Sequence, residues 1–270
     1  MNRYFRLLRL GNGIMGIIGV VIGAFVAIGF DISDHATDIV IASLSVVIFM
    51  GGGNALNDYI DREIDKVAHP ERPLPKGEIR PKDALTIGIG MLLASVVISM
   101  ASMSIMITGM VILAAMFMIS YELWLKQRGF IGNLTIAVLT GMTFLFGGIV
   151  VGHPEANLII ALMAMIVSIG REIAKDIEDV DSDEGRNTLP MLVGKGNASM
   201  IASIMFIIGP TLSILPIIDG TFGWLYLLVI VADAMFIYIA FLIFHDAHRA
   251  QKIAKTAMLV ALLAFILGVI

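Results

Sequence analysis

Apolar stretches of about 20 residues recur along the whole chain, and this repetition restricts the fold more than any other feature. At 1.5 Å rise per residue, such a stretch matches the ~30 Å hydrocarbon core of a bilayer. A segment inside lipid has to satisfy its own backbone polar groups, so it is a helix or a strand of a closed barrel. Barrel strands alternate apolar and polar residues with period two, and these stretches do not. The chain of 270 residues is 58% hydrophobic and only 15% charged, more apolar surface than a soluble domain could hide. The expected fold is therefore all-α, a polytopic membrane protein forming one domain over residues 1–270.

Nine spans are expected, at roughly 11–30, 37–57, 82–100, 104–120, 132–151, 157–173, 197–217, 222–244 and 253–270. Breaks fall on turn chemistry at Asp31-Ile32-Ser33-Asp34, Ser102-Met103-Ser104, Gly152-His153-Pro154 and Asp219-Gly220. The first apolar run is full length and no small-residue cleavage site follows a short core, so no cleavable signal peptide is expected. There is no Cys, which excludes disulfides and thiolate metal sites. Nothing resembles a nucleic-acid-binding face, and no obligate protein partner is evident.

Charge is segregated by topology. All 18 Lys and Arg residues precede the first span or fall in alternate links: Arg3, Arg6 and Arg9; Arg62 to Lys82; Lys126 and Arg128; Arg171 to Lys195; Arg249 to Lys255. By the positive-inside rule the N-terminus is then cytoplasmic and the C-terminus outside, with Lys76 and Asn157 marking opposite faces. Two basic-side links, about 57–82 and 171–196, are long and rich in acids, where connectors alone would be short.

The first of these links opens with Asn54-Ala-Leu-Asn57-Asp58-Tyr-Ile-Asp61-Arg-Glu-Ile-Asp65, and the second with Glu172-Ile-Ala-Lys175-Asp176-Ile-Glu-Asp179-Val-Asp-Ser-Asp183. Both read D-x-x-D-x-x-x-D. On a helix, positions i, i+3 and i+7 fall within an arc of about 60°, so each motif is expected to put three carboxylates on one helical face. Carboxylates that close repel unless a cation compensates, and hard oxygen ligands in this number suit Mg²⁺ bridging to phosphates. Acidic loop residues usually just face water, yet two matches at equivalent positions, each followed by Arg and Pro, outweigh that reading. Those tails are Arg72-Pro73-Leu74-Pro75-Lys76-Gly77 and Arg186-Asn187-Thr188-Leu189-Pro190. An Arg beyond each cluster can clamp a phosphate bidentately, and Tyr121, Lys126 and Arg128 could add to the same surface. The duplication suggests two related halves, roughly 1–131 and 132–270, meeting around one site.

At these residues the chain resembles the UbiA superfamily of intramembrane prenyltransferases. The resemblance rests on both acidic motifs with their tails, on Tyr121-Glu-Leu-Trp-Leu-Lys126 with Gly132-Asn133, and on Arg9-Leu-Gly-Asn12. It implies a nine-helix fold around a central cavity under a cytoplasmic cap, and Mg²⁺-dependent transfer of an isoprenyl group from its diphosphate. Within the superfamily the chain is similar to the archaeal ether-lipid branch, which implies geranylgeranyl diphosphate as donor and the hydroxyl of geranylgeranylglyceryl phosphate as lipid phosphate acceptor. Carried onto this sequence, Asp58, Asp61, Asp176 and Asp179 are the expected catalytic carboxylates. Asn54, Asn57, Asp65 and Asp183 join them as metal ligands, while Arg72, Lys126, Arg186, Lys175, Tyr121 and Asn12 bind phosphate or diphosphate.

Two other functions compete: prenylation of an aromatic ring, as in quinone biosynthesis, and secondary transport. Transporters place coupling groups near mid-membrane, whereas these carboxylates cluster at span ends. Asp233 lies inside an apolar run and is either functional or a hydrogen-bonded structural group. His245-Asp246-Ala247-His248 reads as an interfacial helix end rather than a metal site. Gly51-Gly52-Gly53 should permit close helix approach, and Trp224 should anchor an interface.

Overall fold

Helices account for almost all of the chain because lipid leaves the backbone no other partner. The computed structural model describes residues 2–180 and 187–270. A short helix α1 (Arg3–Leu8) leads into α2 (Leu10–Ile28) and α3 (Ala36–Ile60). Then follow α4 (Asp65–Ala68), α5 (Pro81–Ser99), α6 (Ile105–Ser120), α7 (Phe130–Val150) and α8 (Leu158–Asp179). The chain ends with α9 (Leu189–Val193), α10 (Lys195–Ser213), α11 (Leu215–Ile218), α12 (Val229–Leu242) and α13 (Ala247–Val269).

Among the described residues, eight continuous helical segments are long and apolar enough to cross a membrane. The first, Leu10–Ile60, has 51 residues. Straight, it would measure about 75 Å, more than twice the hydrocarbon core, so it must cross twice. It folds back through a 3₁₀ turn at Gly29–His35, where Gly29 takes φ +60°, a left-handed conformation that costs glycine little. With α2 packed against α3, the described residues supply nine candidate crossings, consistent with the nine apolar runs.

Local chemistry sets the other boundaries. Pro81 starts α5 at the first helical position, where its missing N–H costs nothing. Ser104 caps α6, and the Asp246 carboxylate accepts from the Arg249 amide at 2.8 Å to cap α13. That cap bears out the helix-end reading of His245–His248.

Small residues make the contacts between helices, since lipid tails give no hydrophobic drive for association. A Cβ on Gly52 would lie 3.0 Å from the Gly88 carbonyl, and one on Gly88 3.0 Å from the Leu56 amide, so α3 and α5 meet nearly backbone to backbone. Helix α7 packs on both α2 and α8 and so joins the earlier crossings to the group α8, α10, α12 and α13. Phe206, Phe236, Ile239 and Ile173 form the core of that later group, and Val20, Ile107, Phe146 and Val150 a core of the earlier one. Met103, Ile105, Phe241 and Trp224 point outward, as a lipid-facing surface requires.

Asn157 corrects one expectation. It is fully buried rather than exposed in a link, and its side-chain amide donates to the carbonyls of Gly23 at 2.8 Å and Phe144 at 2.7 Å. A polar residue at a helix start can serve a neighbouring backbone as readily as water. Glu155, with 67% of its side chain exposed, marks that end of the molecule instead.

Candidate active site

The first motif is not one continuous helical face. α3 stops at Ile60, Asp61 caps it, and α4 begins at Asp65. The backbone nevertheless keeps helical spacing across the break: the Asp61 amide donates to Asn57 O at 2.9 Å and the Asp65 amide to Asp61 O at 2.8 Å. Asp58, Asp61 and Asp65 are all buried. Carboxylates so placed demand cations. The Arg9 guanidinium pairs with Asp58. Arg72 Nη1 lies 2.6 Å from Asp65 and 3.6 Å from Asp58. Lys126 Nζ lies 2.6 Å from Asp61 and 2.7 Å from Glu122.

Arg9 reaches Asp58 from an unusual backbone position. It separates α1 from α2 with φ 47° and ψ 59°, a left-handed conformation that costs a non-glycine residue about 1–2 kcal/mol. Two neighbouring contacts hold the kink: the Asn54 amide donates to Leu8 O at 3.0 Å, and the Asn12 amide to Asn54 Oδ1 at 3.4 Å. Arg6 pairs with Glu78, and Arg3 donates to the Glu78 carbonyl at 2.9 Å, so α1 straps down the link that carries Arg72. The hydrogen bond from Arg6 holds the Glu78 carboxyl below its usual range.

Glu122 lies on a π-helical turn, Tyr121–Leu125, that extends α6, and Lys126 is the residue that ends it. Such turns insert one residue into the helical register and often mark functional sites. Here the turn carries both Glu122 and the Lys126 ammonium inward, each side chain at most 5% exposed. Asn57 ties them to the motif, its amide donating to Glu122 Oε1 at 3.0 Å and to Asp61 Oδ2 at 3.1 Å. Tyr121 starts the turn and is half-buried.

The second motif sits at the end of α8 and is more open. Asp176 is half-buried and accepts from the Asn133 amide at 2.9 Å, while Asp179 is exposed. Lys175 lies 2.9 Å and Arg171 2.8 Å from Glu172, one helical turn deeper than Asp176. Asp183 and Arg186 lie outside the described residues. The link between α6 and α7, with the first turn of α7, connects the two clusters: Lys126 touches the first, Asn133 the second, and Gly132 between them packs against the Lys126 backbone. Arg128 in the same link forms a backbone bridge with Asn187, just beyond the second motif.

The expected site residues of the first motif thus converge, together with Arg72 and Lys126. Arg9, Glu122 and Asn133 join the same clusters through their contacts, although the motifs do not include them. The segments that carry the resemblance hold all three, and the i, i+4 spacing of Glu122 and Lys126 adds a local signal. Asp233 lies elsewhere, hydrogen-bonded at 2.7 Å by Ser213 in a cavity lined by Ile160, Met163, Val167 and Phe236. Val167 is nine residues before Asp176, about 180° around α8, so that cavity opens on the opposite face. The hydrogen bond favours the structural reading of Asp233.

Among the described residues, no three His, Asp or Glu side chains close on one point as metal ligands do. The donor set nonetheless suits a hard cation: oxygens from Asn57, Asp58, Asp61 and Asp65 gather on one side, balanced by guanidinium and ammonium groups. Lys126 is itself a cation seated between two carboxylates, Asp61 and Glu122.

Known proteins share the sequence and the fold of this chain. The model of the UbiA prenyltransferase family matches residues 16–266. The digeranylgeranylglyceryl phosphate synthase of Methanosphaera stadtmanae is 38% identical over 276 aligned positions, covering 99% of each chain. A structure solved in work on digeranylgeranylglyceryl phosphate synthase in membranes superposes with TM-score 0.85 at 33% identity, covering 99% of this chain and 97% of that one. A UbiA homolog from Archaeoglobus fulgidus bound to GPP and Mg²⁺ shares the fold, with TM-score 0.67 at 16% identity and coverage of 99% and 98%.

Proposed function

Because the chain belongs to the UbiA prenyltransferase family, we propose that it transfers a geranylgeranyl group from geranylgeranyl diphosphate to the free hydroxyl of geranylgeranylglyceryl phosphate, forming an ether bond. The observation that carries the reading is the buried set Asp58, Asp61 and Asp65 with Arg9, Arg72 and Lys126, all at one end of an apolar helical bundle. The full-length similarity to digeranylgeranylglyceryl phosphate synthases supports the choice of acceptor.

In this reading Asn57, Asp58, Asp61 and Asp65 of the first motif would hold Mg²⁺, as would Asp176, Asp179 and Asp183 of the second; Asn54 is occupied in bracing α1. Mg²⁺, when bound, supplies Lewis-acid stabilisation of the departing diphosphate. That a homolog of the same fold was bound to GPP and Mg²⁺ supports this use. Arg72, Lys126 and Arg186 donate to diphosphate oxygens, with Lys175, Tyr121 and Asn12 beside them. The allylic C–O bond breaks and its electron pair leaves with the diphosphate. The acceptor oxygen then attacks the allylic carbon, and its proton passes to a carboxylate of the clusters. Apolar helices hold the chain and keep water from the cation.

The two acidic motifs support a construction from two related halves, roughly 1–131 and 132–270. The segregation of Lys and Arg to one end supports a cytoplasmic N-terminus, an outside C-terminus and a site that opens to the cytoplasm.

Purified protein supplied with geranylgeranyl diphosphate, Mg²⁺ and two competing acceptors, geranylgeranylglyceryl phosphate and 4-hydroxybenzoate, tests the reaction by mass spectrometry of the products. The ether lipid is the expected product, with stoichiometric diphosphate release and no turnover in excess chelator. A prenylated benzoate as the main product would overturn the acceptor, and no diphosphate release with either acceptor would overturn the transferase.

A further inference from the structure

Glu122 has no place in either acidic motif, yet it is buried against the first one. The Lys126 ammonium lies 2.6 Å from Asp61 Oδ1 and 2.7 Å from Glu122 Oε2. The Asn57 amide bridges the same two carboxylates, at 3.1 Å from Asp61 Oδ2 and 3.0 Å from Glu122 Oε1. One ammonium and one amide therefore hold two carboxylates face to face.

This arrangement poses a problem for cation binding at Asp61. A divalent ion approaching that carboxylate is repelled by an ammonium already 2.6 Å from it. Withdrawing Lys126 would leave an ammonium buried without its counter-charge, which is unfavourable at a site this enclosed. Glu122 removes the conflict. It lies four residues before Lys126, on the π-helical turn that Lys126 ends, already at hydrogen-bond distance, so Lys126 can release Asp61 without losing its ion pair. The ammonium has three N–H donors, and those freed from Asp61 can turn toward an incoming diphosphate.

We propose that Glu122 is a positioning residue that retains Lys126 in the site while Asp61 is given over to a divalent cation. The inference rests on the metal reading of Asp61 given above, and its test separates the two. Mn²⁺, standing in for Mg²⁺, is titrated by electron paramagnetic resonance into the purified full chain without substrate. E122Q keeps the size of the side chain but leaves Lys126 to Asp61 alone, and should weaken Mn²⁺ binding about tenfold. In the K126A background the same substitution should change binding by less than about threefold, because the competing ammonium is gone. E122D keeps the charge and should stay within about threefold of wild type.

Unchanged binding in E122Q would overturn the proposal. So would an equal loss in the K126A background, which would make Glu122 a direct ligand, and so would a tenfold loss in E122D, which would make shape rather than charge decisive. Wild-type binding that D61A leaves intact would instead overturn the metal reading of Asp61, and the role of Glu122 with it.

Discussion

Asp58 is 1% exposed, the most enclosed carboxylate of the first motif, whereas Asp179 in the second faces solvent. This difference separates folding from chemistry in mutants. Asp179→Ala removes little packing, so the variant should stay folded and still lose nearly all turnover, because the proposed Mg²⁺ contact it removes strengthens as diphosphate charge develops. Asp61→Ala should do the same although its site is enclosed, since Lys126 keeps Glu122 as partner. Size-exclusion profiles together with kcat at saturating Mg²⁺ check both; near-normal kcat in either variant removes that residue from the mechanism. Arg72 spans Asp58 and Asp65 from one Nη1 atom, which leaves the rest of its planar fork for a phosphate. Arg72→Lys keeps the charge and loses the fork, so KM for the prenyl diphosphate should rise about tenfold. An unchanged KM would leave Arg72 only its ion pairs.

At the scale of elements, the π-helical turn Tyr121–Leu125 decides where Lys126 points. Inserting one alanine after Leu125 would carry Lys126 about 100° further around the axis of α6. Turnover should fall at least a hundredfold while helical content by circular dichroism stays unchanged; full activity would show that register is irrelevant. That turn also marks a limit of what sequence conveys. Each crossing was legible because lipid demands about 20 apolar residues in succession, and α5 and α7 begin within two residues of their expected starts. The two D-x-x-D-x-x-x-D motifs were legible for a similar reason: their spacing is local. The break of α3 at Asp61 was not, because backbone bonds across it imitate a helix. Nor was the partnership of Arg9 with Asp58, 49 residues apart, since ion pairs between distant segments leave no periodic trace. Asn157 misled for the opposite reason: its polarity suggests a link open to water, and the fold uses that polarity to satisfy two backbone carbonyls.

For the molecule as a whole, the absence of Cys allows single-cysteine probes without background. Lys76 lies in the exposed link after the first motif and Glu155 at the opposite end. In sealed cells, a membrane-impermeant maleimide should label Glu155→Cys from outside and Lys76→Cys only after the membrane is opened. The reverse pattern would invert the orientation. The order in which the clusters arise along the chain also bears on biosynthesis. Arg9, Asp58, Asp65, Arg72, Lys126 and Glu122 all precede α7, so a nascent chain can neutralise the first set of charges by itself as soon as its early crossings are inserted. Asp176 finds Asn133 only after two more crossings. A chain interrupted on the ribosome before α8 would therefore be a membrane-stable but inert fragment, with its buried acids already quenched and no second cluster to complete a diphosphate cradle.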